Sequence, residues 1–266
     1  MTSSRSLHSI LLGALFLGVL YAVFFSFSSY DWLGWSPATC MPNRCFCEQV
    51  RAGAIRQPMN TWSNLGFVLV GALILWWART PLAPDAPDAN PMNTDTWYPL
   101  VYGTMTGLLG LGSLFYHASM SFVGQWMDVM GMYLVASFFL LYNLATLKGW
   151  SDRTFTIAFV VFNSVLGYLQ YAVPSARRWL FAVLVLVALG AEIWGSRKRP
   201  STIKSAYLWA ALGCLGVAFG LWWLDLKKIV CSPTSWFQLH SVWHLLCACT
   251  TGFVYLYYRS ERRTAS

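Results

Sequence analysis

Charge is what this sequence has least of. Of its 266 residues only 11% are Asp, Glu, Lys or Arg, against roughly a quarter in an ordinary soluble domain. That scarcity excludes a water-soluble fold with a charged outer surface. Acidic residues are fewest, 10 against 18 Lys and Arg, and the formal net charge is +8. The surplus calls for no nucleic-acid partner, because the basic residues flank apolar runs, where they face anionic lipid. No internal repeat and no sharp domain boundary is visible. Histidine is scarce too, with four in the whole chain, so the position of each carries information. What the chain has in quantity is apolar: 57% hydrophobic residues and a mean hydropathy of +0.50.

Apolar segments recur at lengths near the ~20 residues that cross a bilayer. They fall at about 8–28, 62–78, 97–117, 124–147, 154–172, 178–195, 204–224 and 236–258. The pattern predicts an all-α fold, a polytopic membrane helix bundle of eight spans. The 8–28 stretch is long for the apolar region of a signal peptide, and no small-x-small cleavage site follows, so it reads as a retained helix or signal anchor. With eight crossings both termini share a side, along with Arg79, Lys148, Arg153, Arg197, Lys198, Arg199, Lys204 and Arg259. That side holds more Lys and Arg than the other, which has Arg44, Arg51, Arg56, Arg177, Arg178, Lys227 and Lys228. The positive-inside rule then places both termini in the cytoplasm. The loop at 79–96, rich in Pro, Asp and Ala, is expected to be mobile, and the 15 tryptophans to serve as interface belt and lipid-facing packing.

The longest polar interval, 29–60, contains Cys40, Cys45 and Cys47, and the loop 225–235 contains Cys231. Both lie outside by the charge distribution, in an oxidising compartment. Cys231 therefore pairs with one of the three, or all four stay free thiols; the residues alone do not choose. Cys45-x-Cys47 would be half a metal site, but no second cysteine pair completes it. Cys214, Cys247 and Cys249 fall within helices and read as packing residues.

Ionisable groups inside spanning segments are costly and default to function. His240 and His244 are four apart, on one helical face. His117 ends the segment that begins near 97, and Asp128 begins the next. With His240 and His244 in the first turns of the last segment, all four reach one depth, in the outer leaflet half. Three imidazoles with a fourth position left for water compose an open, catalytic zinc site. Ser113 lies one turn from His117 on its face. Asp128, among apolar neighbours, would orient a histidine, ligate the metal or take a proton from water. Asn60 and Ser63 open the second segment on the same side, where they would cap a helix. Asp225 reads as an exposed helix-end charge beside Lys228, and His8 as a surface residue.

Gly112-Ser-Leu-Phe-Tyr-His117, Gln125-Trp-Met-Asp128 and His240-Ser-Val-Trp-His244 together resemble the alkaline ceramidases. These are members of a superfamily of seven-helix membrane hydrolases that includes the progestin and adipoQ receptors. Asn60-Thr-Trp-Ser-Asn64 and Leu221-Trp-Trp-Leu-Asp225 followed by Cys231 are similar to that family's motifs, and the likeness covers about residues 45–259. It implies zinc on His117, His240 and His244. It also implies that Ser113 holds the attacking water or the oxyanion, that Asp128 positions or deprotonates the water, and that Cys47 pairs with Cys231. The segment 8–28 is extra to the family pattern, so the resemblance implies a seven-helix core, the membrane domain at 30–266, with one extra N-terminal transmembrane helix at 1–29. Glu48 would be the carried-over calcium ligand, but Gln57 stands where the family has a second glutamate and Arg51 and Arg56 intervene, which argues against calcium.

The expected activity is zinc-dependent hydrolysis, within the membrane, of the amide bond of a ceramide-like lipid to a sphingoid base and a fatty acid. Hydrolysis of another lipid amide or ester is the nearest alternative. A receptor or sensor with a structural metal is another, and it would need Asp128 as a fourth ligand. A metal-free proton or ion carrier would use the same residues, and haem ligation suits adjacent i, i+4 histidines poorly. Neither the physiological substrate nor the oligomeric state can be read from these residues.

Overall fold

The computed structural model describes residues 30–42, 45–84, 86, 89–198 and 201–263; the helix expected at 8–28 lies outside them. The fold is all-helical, as expected. After the short α1 (Pro58–Trp62) come α2 (Leu65–Trp77), α3 (Trp97–Ser119), α4 (Phe122–Lys148), α5 (Asp152–Ala172), α6 (Arg177–Ser196), α7 (Ser205–Leu226) and α8 (Leu239–Arg259). The only strands among the described residues are Ser201–Thr202 and Arg262–Arg263, a two-residue antiparallel pairing. Among the described residues six spans are long and apolar enough to cross a membrane, with α1 and α2 counted as one, and the chain is a multi-pass membrane protein. Helix α3 is long enough but falls outside this group. Its polar Thr106, Ser113, Ser119 and His117 are all buried against neighbouring helices, so lipid does not dictate its composition.

Local chemistry sets the helix ends. Ser121 starts α4 in an extended conformation, its Oγ accepting from the Gly124 amide at 3.0 Å, and Gly149 closes the helix at φ +64°. Ser151 caps α5 in the same way, accepting from Thr154. Between α3 and α4 the chain reverses at Met120, a non-glycine residue at φ +50°. Left-handed backbone there costs on the order of 1 kcal/mol. Its side chain is fully buried, and its carbonyl accepts from Ala38 at 2.9 Å, which offsets the strain. This tight reversal keeps the end of α3 and the start of α4 at one depth.

Small residues let the central helices approach. A Cβ on Gly131 of α4 would lie 2.6 Å from the Leu109 Cα of α3, and one on Gly112 would lie 2.8 Å from the Met127 carbonyl. Away from this end, an aromatic core fills the bundle, built on Tyr102, Phe138, Tyr142, Phe155 and Tyr255. Polar bonds cross it: the Tyr102 hydroxyl donates to the Thr251 carbonyl at 2.8 Å, and the Asn143 amide donates to the Tyr258 hydroxyl at 2.7 Å. In lipid such bonds and close contacts, rather than water exclusion, hold helices together.

Two expectations need correction. The loop 79–96, expected to be mobile, is tied down in its later part, residues 89–96. Met92 is fully buried, and the Asn90 and Asn93 amides donate to the carbonyl of Arg259 at the end of α8. Side-chain amides satisfy the last carbonyls of that helix, a role that the loop's Pro-rich composition hides. Asp225 is not an exposed charge; it is buried and bonded to the loop below it. Replacing Gly131 by Ala should force α3 and α4 apart and destabilise the fold by about 1–3 kcal/mol. Thermal unfolding in detergent would show this as a lowered midpoint, and an unchanged midpoint would contradict the packing described.

Candidate metal centre

The segment before α1 wraps the end of the bundle where α3 stops and α8 starts. The Arg56 and Gln57 amides donate to the carbonyls of Ala118 and His117, at 3.0 and 3.1 Å. Disulfides Cys40–Cys45 and Cys47–Cys231 fasten this wrap. They rule out both free thiols and the half metal site at Cys45-x-Cys47, and the second is the pairing implied by resemblance. Phe46, between two disulfide cysteines, stacks on His240 at 3.7 Å between ring centroids. The Asp225 carboxylate, at the end of α7, accepts from the Cys47 amide at 3.0 Å, so one buried acid ties the wrap to the end of α7.

His117, His240 and His244 converge. Each offers one ring nitrogen, these atoms lie within 4.8 Å of one another, and all three side chains are buried. Their hydrogen bonds fix which nitrogen is free. Gln57 donates through Nε2 to the Glu48 carbonyl at 2.9 Å, so its Oε1 faces His117 Nδ1, 2.8 Å away. An amide oxygen only accepts, so His117 carries its proton on Nδ1 and turns the Nε2 lone pair into the cluster. Ser63 donates to the Asn60 carbonyl at 3.1 Å and therefore accepts from His244 Nδ1 at 2.8 Å. His244 Nε2 is thereby freed in the same way. His117 Nε2 and His240 Nδ1 are buried without a hydrogen-bond partner. Buried acceptors left unsatisfied are costly, and neutral imidazoles held by outer hydrogen bonds are the arrangement a metal requires. The donor set therefore fits a divalent ion of the kind imidazole favours, zinc included.

Asp128 does not join these donors; the convergent group is the three histidines. It is half-buried and faces Ser113 across a cavity of about 160 Å³ that both line with His244. The Ser113 hydroxyl is buried within electrostatic reach of that carboxylate, yet it makes no formed hydrogen bond. The cavity runs on between α4, α6, α7 and α8 through apolar side chains to Glu192, Tyr257 and Tyr258. Helices α6 and α7 both line it without packing on each other, so it opens sideways.

Other site expectations change role. Asn60 and Ser63 do not cap α2, which has no side-chain cap; their polar groups serve the histidines instead. Glu48 caps α1, its two carboxylate oxygens accepting from Met59 and Asn60 at 2.8 and 2.9 Å. Burial pushes its carboxyl above the usual range, against those two bonds and the Arg51 charge. With both oxygens engaged and Gln57 in place of a second acid, these residues do not fit a calcium ion. Gln57 as the partner of His117 escaped the sequence reading, since 60 residues separate them and no periodicity links them. The polar doublet Asn60 and Ser63 at the start of an apolar run was the visible hint for His244.

A helical membrane protein with three convergent buried histidines, two of them tautomer-fixed and one, His244, lining an apolar cavity, is a candidate metal-dependent membrane enzyme. Residues 45–264 match the ceramidase family, and the chain belongs to that family. Among curated proteins it is similar to alkaline ceramidase 1 of Mus musculus, 26% identical over 207 residues, covering 72% of this chain and 68% of the relative. The Homo sapiens alkaline ceramidase 1 is 25% identical over 205 residues, covering 72% and 71%. Replacing Gln57 by Met, which keeps the bulk and removes the acceptor, should weaken metal binding about 10–100-fold. Competition against a chelator of known affinity measures it, and undiminished affinity would refute the tautomer argument.

Proposed function

We propose that this protein is a zinc-dependent hydrolase that cleaves, within the membrane, the amide bond of a ceramide-like lipid to a sphingoid base and a fatty acid. One observation carries the reading most directly. Three histidine donors converge, one of them, His244, lining an apolar cavity that Asp128 and Ser113 also line from outside the donor group. Three protein ligands leave a coordination position open, the hallmark of catalytic rather than structural zinc. A receptor or sensor with a structural metal would need Asp128 as fourth ligand, and Asp128 stands apart.

His117, His240 and His244 would hold the ion. When bound, zinc would polarise the amide carbonyl and make a water acidic enough to attack it near neutral pH. The Asp128 carboxylate accepts the proton of the attacking water and returns it to the amine as the C–N bond breaks. The Ser113 hydroxyl, with no other partner, donates to the carbonyl oxygen as negative charge grows there. Apolar walls exclude bulk water, which strengthens both interactions. The lateral opening between α6 and α7 suits a substrate that arrives from lipid with its chains already buried. The family membership and the names of the two relatives support ceramide as the substrate class.

The reading includes a topology. Residues 30–266 form a seven-helix domain, with α3 a full crossing despite its polar face, and residues 1–29 precede it as a separate segment. The metal end faces away from the cytoplasm, in the outer leaflet half, with the C-terminus on the cytoplasmic side. Two disulfides at the metal end, which need an oxidising compartment, and the basic residues at the other support this.

His244→Ala is expected to lose bound zinc and ceramide hydrolysis together. Asp128→Asn should keep the zinc and lose roughly 10²–10⁴-fold in kcat. Metal analysis and turnover on the same purified samples check both. Hydrolysis by His244→Ala, or zinc lost from Asp128→Asn, would overturn the assignment of roles.

A further inference from the structure

The far end of the cavity is not apolar. Glu192 of α6 is buried, and its two carboxylate oxygens accept from the hydroxyls of Tyr257 at 2.6 Å and Tyr258 at 2.8 Å. Asn143 of α4 donates in turn to Tyr258. The walls between this cluster and the metal end are mostly hydrocarbon, with Val185, Ala188, Leu212 and Val254 among their residues, and the Thr250 and Thr251 hydroxyls there are bonded back to carbonyls of α8. The hydrolytic scheme leaves this buried acid unused. Along α8, from His244 to Tyr257 and Tyr258, the channel is roughly 20 Å deep at 1.5 Å per residue, which suits a long fatty chain.

We propose that Glu192, Tyr257 and Tyr258 form the floor of an acyl channel and set the longest N-acyl chain this protein accepts. The inference rests on the lipid-amide hydrolase reading above. With the scissile carbonyl at Ser113, Asp128 and His244, the acyl chain runs on directly from the carbonyl carbon into the hydrocarbon walls. The sphingoid base lies beyond the amide nitrogen and carries hydroxyls that those walls cannot bond. A chain ending short of the floor leaves its bonds intact. A longer one must part the tyrosines from the carboxylate and strand buried polar groups without partners, which is strongly unfavourable. The limit is therefore sharp rather than gradual.

The test is the chain-length profile of the purified, zinc-loaded full chain. One series of ceramides shares a base and varies the saturated acyl chain from short to very long; a second varies the base. Wild type is expected to show kcat/KM falling steeply beyond one acyl length, with little dependence on the base. Glu192→Ala, which removes the floor, should raise the ratio of very-long to long-chain kcat/KM about tenfold, the equivalent of 1.4 kcal/mol. Glu192→Gln, which keeps both tyrosine bonds, should retain the wild-type cut-off. Ala188→Phe, filling the channel one turn before the floor, should move the cut-off to shorter chains, and it tests the channel even if Glu192→Ala fails to fold. An unshifted profile in Glu192→Ala and Ala188→Phe, or a cut-off that follows the base, overturns the floor while leaving the hydrolase standing. No hydrolysis of any ceramide by wild type overturns the hydrolase reading and the floor with it.

Discussion

Three buried imidazoles converge on one point, His117 and His244 with their lone pairs turned inward, and those lone pairs go unsatisfied unless a cation joins them. The rest of this end of the molecule serves that convergence. Glu48 fixes the orientation of Gln57, and Gln57 fixes the tautomer of His117. Asn60 takes the proton of Ser63, and Ser63 fixes His244. Asp225 holds the Cys47 amide, and the neighbouring Phe46 lies against the His240 ring. The two disulfides keep the segment that carries Glu48 and Phe46 from leaving. Each link is an ordinary hydrogen bond or contact, worth on the order of 1 kcal/mol. Together they preorganise a site whose binding energy comes from the metal.

In the proposed mechanism the bundle serves the second half of the chemistry by keeping a carboxylate apart from the three histidines. The reversal at Met120 brings Asp128 to the depth of His117 without bringing it into the donor group. Gly112 against the Met127 carbonyl lets α3 and α4 close to backbone contact, so that Ser113 reaches the Asp128 side of the cavity. An acid that ligated the metal would close the site. Beside an open position it remains a base. Below it the channel is mostly hydrocarbon until Glu192 and its tyrosines, so its ionisable carboxylates stand at the two ends, where a lipid amide and a chain terminus would lie.

What the sequence disclosed followed from period and polarity. Hydropathy located each long helix to within a few residues, and i, i+4 spacing put His240 and His244 on one face. Depth then gathered His117, Asp128 and Ser113, because residues at helix ends separated by whole crossings must return to the same level. The roles of Gln57 and Asp225 stayed hidden for the opposite reason. Both act through irregular backbone, where no period relates neighbours, and Asp225 at a helix terminus beside lysines looks like surface charge until the wrap buries it. Asn60 and Ser63 looked like caps because polar residues at a helix start usually are. The Asn90 and Asn93 anchor was concealed by a loop composition that signals turns whether or not they are held.

The claim on which all of this rests is a single catalytic ion on three histidines. Protein stripped with a chelator and titrated with zinc should regain ceramide hydrolysis in proportion to metal bound, reaching full activity at one equivalent. Full activity in the stripped protein, or zinc that binds at one equivalent without restoring hydrolysis, would contradict the account.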